Sequence, residues 1–317
     1  MVHQREVKLA NGTGIPAIGL GTWQAEPGEL TEVIQEAWAA GYHHIDAAHY
    51  YQNEREIGTA LRMTEVPRDQ IWLTSKVWNT DHRPERVGPA CDQTLSDLQV
   101  EYLDLYLMHW PIAFVPGDDL LPRDNKGEIK VDDVDYKDTW RAMEKLVDEG
   151  KVRYIGVSNF TIKQLEDLLK VARIKPVVNQ VECNVYLPQY ELVEYCQKHG
   201  IAVTAYRPLA GRVKVGDEKP SSGHKALRED PVLTKIAQRI NRTPAQVAIA
   251  WLLKRGIIAI PKSSNPQRLR ENLIDFDLTD EDAAEISKIG VRQRDCNPAN
   301  MWSPSLDYLT KSDEGTK

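Results

Sequence analysis

Cysteine is scarce in this chain of 317 residues: Cys91, Cys183, Cys196 and Cys296 stand far apart, with no C-x-x-C pair among them. Neither a zinc knuckle nor a dense disulfide framework fits that spacing, whereas reduced thiols do. Long apolar runs are missing as well. Nowhere do the ~18 consecutive apolar residues needed to cross a bilayer occur, and the opening Met1-Val2-His3-Gln4-Arg5-Glu6 has no apolar stretch of the kind a secretory leader carries. A cytoplasmic protein with no membrane partner is expected, its N-x-T triplets at Asn11, Asn159 and Asn241 unglycosylated. Positive charge is not in excess either: 40 lysines and arginines face 47 acids, a net charge of −7. That is the wrong sign for a nucleic-acid binder, although it leaves room for one basic pocket around a phosphate, and a small-molecule partner is expected. Phenylalanine is rare, with 3 residues against 8 tryptophans.

What is present, 41 % hydrophobic and 27 % charged residues, describes a globular chain with a large core, long enough for two domains or one large α/β barrel. Leu30, Val33, Ile34, Ala37 and Trp38 repeat at helical spacing, and Gly41 follows as a stop. Strands are read at 44–46, 71–77, 103–108, 153–157, 177–181, 201–206 and 257–261, with helices near 53–62, 84–98, 137–149 and 189–199 between them. Thr161-x-x-Gln164 and Thr243-Pro244-Ala245-Gln246 open further helices. With 18–21 as the first, eight strands alternate with helices. An α/β fold closed as a (β/α)8 TIM barrel follows more naturally than an open sheet. One domain over 1–317 is expected: a β-hairpin at 6–18 plugging the bottom, the barrel over 18–273, and a helix and tail over 279–317 that supply a C-terminal substrate loop. The last residues, 313–317, read as a loose polar end.

One motif misleads. Gly12-Thr13-Gly14-Ile15-Pro16-Ala17 satisfies the G-x-G-x-x-A pattern of dinucleotide-binding turns, but that pattern needs a helix opening at the glycines. Pro16 and the apolar run after it read as a returning strand, so any dinucleotide binds elsewhere. In a barrel the reacting groups sit at the C-terminal ends of strands. Asp46 ends strand two and Tyr51 follows it, Lys76 lies in strand three, and His109 ends strand four. Singly, each has an ordinary reading: a helix cap, a packing residue, a surface lysine, a satisfied core histidine. Four ionisable types converging on one mouth are hard to read that way. No strand end carries the clustered histidines or carboxylates of a metal-dependent hydrolase, so no metal is expected.

Three longer segments accompany these residues: Gly41-Tyr42-His43-His44-Ile45-Asp46-Ala47-Ala48 with Tyr51-Gln52-Asn53-Glu54 and Ile57-Gly58; Ile155-Gly156-Val157-Ser158-Asn159-Phe160; and Ile260-Pro261-Lys262-Ser263 with Arg268 and Glu271-Asn272. In them the chain resembles the aldo-keto reductase family, nearly end to end from about Val7 to Asn297, and within it the animal-type aldose and aldehyde reductases and NADP-dependent alcohol dehydrogenases. His43 stands where the family usually has arginine, ahead of the strand's reacting end, and an effect on packing at most is expected.

The resemblance implies a monomer that reduces small-molecule carbonyl substrates with NADPH, aldoses and small aliphatic or aromatic aldehydes ahead of ketosteroids. Tyr51 would be the general acid, assisted by Asp46, Lys76 and His109. Free tyrosine titrates near ~10. A Lys76 ammonium beside it is expected to favour phenolate, Asp46 to keep that lysine charged and aimed, and a neutral His109 to orient the carbonyl oxygen.

For the cofactor, the resemblance implies Ser158, Asn159 and Gln180 on the carboxamide, Tyr206 stacked on the nicotinamide, and Arg207 and Leu209 following it. Lys262, Ser263, Asn265 and Arg268 gather at the start of a helix, where N–H groups already favour an anion, and suit a 2′-phosphate; NADPH is expected over NADH, with Glu271 and Asn272 facing the adenine. Arg207 replaces a serine common in animal-type members and is expected to pair with the pyrophosphate or with an acid of loop 210–230, which in the family closes over the cofactor like a belt.

Trp23, Trp78, Trp110 and Trp302, with Phe114 of the long loop 111–135, are expected to wall the substrate pocket, and Leu121 stands where an aromatic is frequent. Arg292 and Arg294 suit a carboxylate-bearing substrate or simply decorate a surface. The competing reading is a non-catalytic NADPH-binding barrel, a redox-sensing subunit or structural protein, which would not require the four strand-end residues together.

Overall fold

The computed structural model describes residues 5–210, 227–274, 276–303 and 306. A hairpin of β1 (Glu6–Lys8) and β2 (Gly14–Pro16) precedes β3 (Leu20–Gly21), α1 (Leu30–Ala40), β4 (His44–Asp46), α2 (Glu54–Met63), β5 (Trp72–Val77), α3 (Pro84–Leu98) and β6 (Leu103–Met108). The chain continues through α4 (Tyr136–Asp148), β7 (Val152–Ser158), α5 (Ile162–Leu169), β8 (Val178–Glu182), α6 (Tyr190–Lys198) and β9 (Ala202–Tyr206). After α7 (Pro231–Arg239) and α8 (Pro244–Lys254) come β10 (Ile257–Ala259), α9 (Pro266–Leu273), α10 (Asp280–Ser287) and α11 (Pro298–Met301).

Strands β3 to β10 form one eight-stranded sheet in sequence order, every neighbouring pair parallel. Its two edges meet. Ile18 bridges Ala259, Gly19 N donates to Ala259 O at 2.9 Å, and Gly21 N to Pro261 O at 3.1 Å. At Gly21 a Cβ would lie 2.7 Å from the Ile260 carbonyl oxygen, so only glycine lets these edges approach and close the barrel. The expected first strand, 18–21, bonds on both sides: Ile18, Gly19 and Gly21 join the last strand and the residues just past it, and Leu20–Gly21 pair with β4.

Why these runs are strands is plain in β6, buried at every position. Leu105 and Leu107 point into the barrel with Trp72, Val178 and Ile258, while Tyr106 and Met108 meet the helices outside. The hairpin pairs Val7 with Ile15, and Leu9 and Ile15 seal the lower interior layer, as the plug reading expects. The five apolar residues of α1 are buried, and Gly41 ends it at φ 106°. Both capping boxes form, at Thr161 with Gln164 and at Thr243 with Gln246.

Helix α7 is absent from the sequence reading, although its start is signalled: Asp230 accepts the N–H groups of Val232 and Leu233, and Pro231 occupies the first turn. Of the expected cofactor-covering loop 210–230, residues 211–226 lie outside the described residues, as do 307–317 with the polar end. Among the described residues no helix is long and apolar enough to cross a membrane.

Candidate active site

Lys76 is wholly buried in β5, a position a lysine holds only if all its protons are taken. Its Nζ donates to Asp46 Oδ2 and to Ala47 O at 2.7 Å each and to Tyr51 Oη at 3.2 Å. The strand register makes this possible, since β4 pairs Asp46 with Thr74 and so leaves Lys76 level with the residues beyond the strand end. A single 3-10 turn, His49–Tyr51, swings Tyr51 back over the lysine. Asp46 is fixed twice more: its other oxygen accepts from Gln180 Nε2 at 2.8 Å, and its carbonyl accepts from Thr22 Oγ1 at 2.8 Å. His109, just past β6, sets its ring edge-on to Tyr51, with centroids 5.8 Å apart. All four expected residues converge.

Their electrostatics correct one expectation. Burial first, and then the charge of Asp46, push the Tyr51 phenol well above its ordinary value, so Lys76 does not hold it as phenolate. The ammonium is engaged by Asp46, which opposes the downward pull of burial on Lys76. Burial, aided by Lys76, holds His109 far below the usual histidine value, and its ring is neutral as expected. The phenol is therefore loaded with its proton.

Beside this group, Asn159 sits at φ 63° and is held by three partners: Nδ2 donates to His109 O at 3.0 Å and to Ser158 Oγ at 3.1 Å, while Oδ1 accepts from Tyr206 Oη at 2.8 Å. Ser158 Oγ in turn donates to Gln180 O at 2.8 Å. Gln180 keeps its side-chain oxygen without a partner among the described residues. Leu209 packs on the main core. Arg207 takes acids that neither expectation named: Nη2 lies 2.6 Å from Asp295 Oδ2, and Nε 3.8 Å from Glu182 Oε1. Arg292 gives its guanidinium to the carbonyls of Ile289 and Val291.

At the far side, Asn265 caps α9 by accepting Arg268 N at 3.0 Å, and Ser263 Oγ accepts Asn265 N at 3.2 Å. Lys262 and Arg268 are exposed there, and among the described residues neither has an acid partner. Glu271 is held by Gln267 at 2.7 Å, and Asn272 is buried.

Trp78, Trp110, Phe114 and Trp302 form one buried cluster, joined by edge contacts of Trp302 at 5.9, 5.0 and 5.1 Å to the other three, with Leu121 packed against it. Trp23 stands apart, more exposed, and the residue joining it to the wall is one the sequence reading passed over. Tyr50 stacks on Trp78 at 3.8 Å and on Trp23 at 5.3 Å. The signal was its place beside Tyr51 in a strand-end loop. Cys296 was missed as well; its thiol adjoins Tyr206 and lies within electrostatic reach of Tyr51. No group of three or more His, Cys, Asp or Glu side chains suited to a metal gathers among the described residues.

Residues 16–291 match the model of the Aldo/keto reductase family. The chain is 47 % identical over 297 residues to aldo-keto reductase family 1 member A1-A of Danio rerio, covering 91 % of this chain and 90 % of that one. It is 46 % identical over 278 residues to the Homo sapiens aldo-keto reductase family 1 member A1, covering 86 % and 85 %. Among solved structures, the aldose reductase from Schistosoma japonicum superposes with a TM-score of 0.87 at 42 % identity, covering 94 % of this chain and 96 % of the other. Family model, relatives and fold agree: the chain belongs to the aldo/keto reductase family.

Proposed function

We propose that this protein reduces aldehydes to alcohols with NADPH, and that Tyr51 is the proton donor. The observation that carries this reading is the contact of Lys76 Nζ with both Asp46, at 2.7 Å, and Tyr51 Oη, at 3.2 Å, beneath a neutral His109. The nicotinamide, when bound, supplies the hydride. The chain does the rest. Tyr51 presents a proton that burial keeps on its oxygen. As that proton leaves, the buried phenolate is faced by the Lys76 ammonium, an opposite charge in a low-dielectric site, so the electrostatic gain is realised as charge develops. Neutral His109 has one N–H to give the carbonyl oxygen, which fixes the substrate between two donors.

The residues suit the cofactor. Ser263 and the bare cations Lys262 and Arg268 at the start of α9 match a 2′-phosphate, which supports NADPH over NADH. The free oxygen of Gln180 can accept from the carboxamide, and the Tyr206 ring offers a stacking face. The aromatic wall favours aldehydes with an apolar body, small aliphatic or aromatic ones, and aldoses remain within reach of the polar floor. Aldose reductase is the name given to the Schistosoma protein. All four cysteines are free, which supports a cytoplasmic location, and we take the protein to act as a monomer.

Tyr51→Phe removes the proton and little else. In NADPH-consumption assays over aromatic aldehydes, glyceraldehyde and aldoses, kcat is expected to fall by ~10²- to 10⁴-fold, with NADPH binding, followed by quenching of tryptophan fluorescence, retained. A Tyr51→Phe enzyme that keeps its kcat sinks the assignment.

A further inference from the structure

The segment that brings Trp302 to the pocket lies outside the barrel ladder, yet one carboxylate fastens it to a strand end. Glu182 closes β8 with its side chain wholly buried. It accepts Asp295 N at 3.0 and 3.1 Å on its two oxygens and Cys296 N at 2.8 Å. Arg207 lies just beyond β9 in the left-handed region, at φ 50°, and joins Asp295 at 2.6 Å to Glu182 at 3.8 Å. Gln293 completes the join, its side chain donating to Asp295 Oδ1 and its N–H to Tyr186 O, both at 2.9 Å. From there the chain runs through Asn297, which caps α11 by accepting Ala299 N at 3.0 Å, to Trp302.

A barrel has no need of such a group. A buried ionised carboxylate is costly unless it is paired and fully hydrogen-bonded. The partners of this one belong to the C-terminal segment or to Arg207. Because it bonds two consecutive backbone N–H groups, it fixes the path of the chain rather than one side chain, and its burial keeps it from any ligand.

We propose that Glu182, with Arg207 and Asp295, is a clasp that sets the position of the C-terminal segment and, through Trp302, decides which aldehydes the aromatic pocket accepts. This rests on the reductase reading and adds a positioning residue to it. Substrates long enough to reach Trp302 depend on the clasp; those that reach only Tyr51 and His109 do not.

Glu182→Gln keeps the shape of the side chain and turns one acceptor into a donor facing N–H groups. With NADPH, KM for 4-nitrobenzaldehyde is expected to rise about tenfold, the size of one lost charge-assisted hydrogen bond. Its kcat, and both constants for glyceraldehyde, are expected to stay within about twofold. Asp295→Asn, which spares the Glu182 bonds, is expected to shift the same KM less. Independently of turnover, the amides of 295–303 are expected to exchange faster in Glu182→Gln than in the wild type.

Unchanged exchange overturns the clasp, and equal losses on both aldehydes overturn its role in selection. A wild-type chain that reduces neither aldehyde defeats the reductase reading, while faster exchange in the variant still supports the clasp.

Discussion

Among the described residues, neither ring nitrogen of the buried His82 has a hydrogen-bond partner, and burial drives its pKa from 6.5 down to about 3. An unfolded chain takes up a proton there near 6.5, whereas the folded one refuses it until about 3. The stability tied to the neutral ring is therefore complete above pH 6.5 and is lost as pH falls towards 3, at about 1.4 kcal/mol per unit. His82→Gln cannot titrate. Between pH 7 and pH 5 the advantage of wild type over variant in urea unfolding is expected to shrink by about 2 kcal/mol; a constant gap at the two pH values contradicts the argument. The same burial lowers His44 and His109, which both proteins share, so the comparison cancels them. At this scale Asp46, Tyr51, Lys76 and His109 are legible because strand ends announce them. Glu182 also closes a strand and Tyr50 stands beside Tyr51, but what they do, like the place of Cys296, is set by partners from distant parts of the chain that no local spacing marks.

Helices α2 and α3 come into close contact at Gly58, where a Cβ would lie 2.4 Å from Asp97 O and 2.8 Å from Leu98 C. Backbone cannot yield as a side-chain tip can. Alanine is the better helix former by about 1 kcal/mol, so propensity alone expects Gly58→Ala to stabilise. The contact reverses the sign, and a net loss of ~1–3 kcal/mol is expected, read as a lower denaturation midpoint; an equal or higher midpoint refutes the close-packing argument. The consequence extends to the site, because the first turn of α2 carries Glu54, whose buried carboxylate accepts Ser75 Oγ at 2.6 Å and faces His49 at 3.8 Å, beside the turn that places Tyr51. Activity in Gly58→Ala should fall with stability rather than ahead of it. Elements of this kind read well from sequence when one face is apolar at regular spacing, as in α1. Helix α7 escaped because the long polar loop before it drew the boundary past Asp230, hiding a cap and a proline that mark its start.

Over the whole molecule the net charge of −7 sets a field that repels a cofactor carrying several phosphates, so a local reversal has to draw it in. Cations already paired with acids cannot supply one. Arg55 belongs to Asp97, Arg83 to Asp132 and Lys254 to Asp280, each within 2.8 Å. Lys262 and Arg268 have no acid partner among the described residues, and what marks them is that they stand together where α9 begins. The sequence made this cluster visible, but only the structure separates bare cations from paired ones. A 2′-phosphate meeting a guanidinium and an ammonium forms charge-assisted hydrogen bonds worth ~1.5–3 kcal/mol each, and a cofactor lacking that phosphate forms neither. Lys262→Met and Arg268→Met are each expected to raise KM for NADPH by ~10- to 100-fold, with KM for NADH and both kcat values nearly unchanged. Raised ionic strength should weaken NADPH binding in the wild type more than in the double variant, since screening acts on the charges the variant lacks. Parallel losses for the two cofactors, or a salt response the variants share, would remove the phosphate from this site and with it the reason to expect NADPH over NADH.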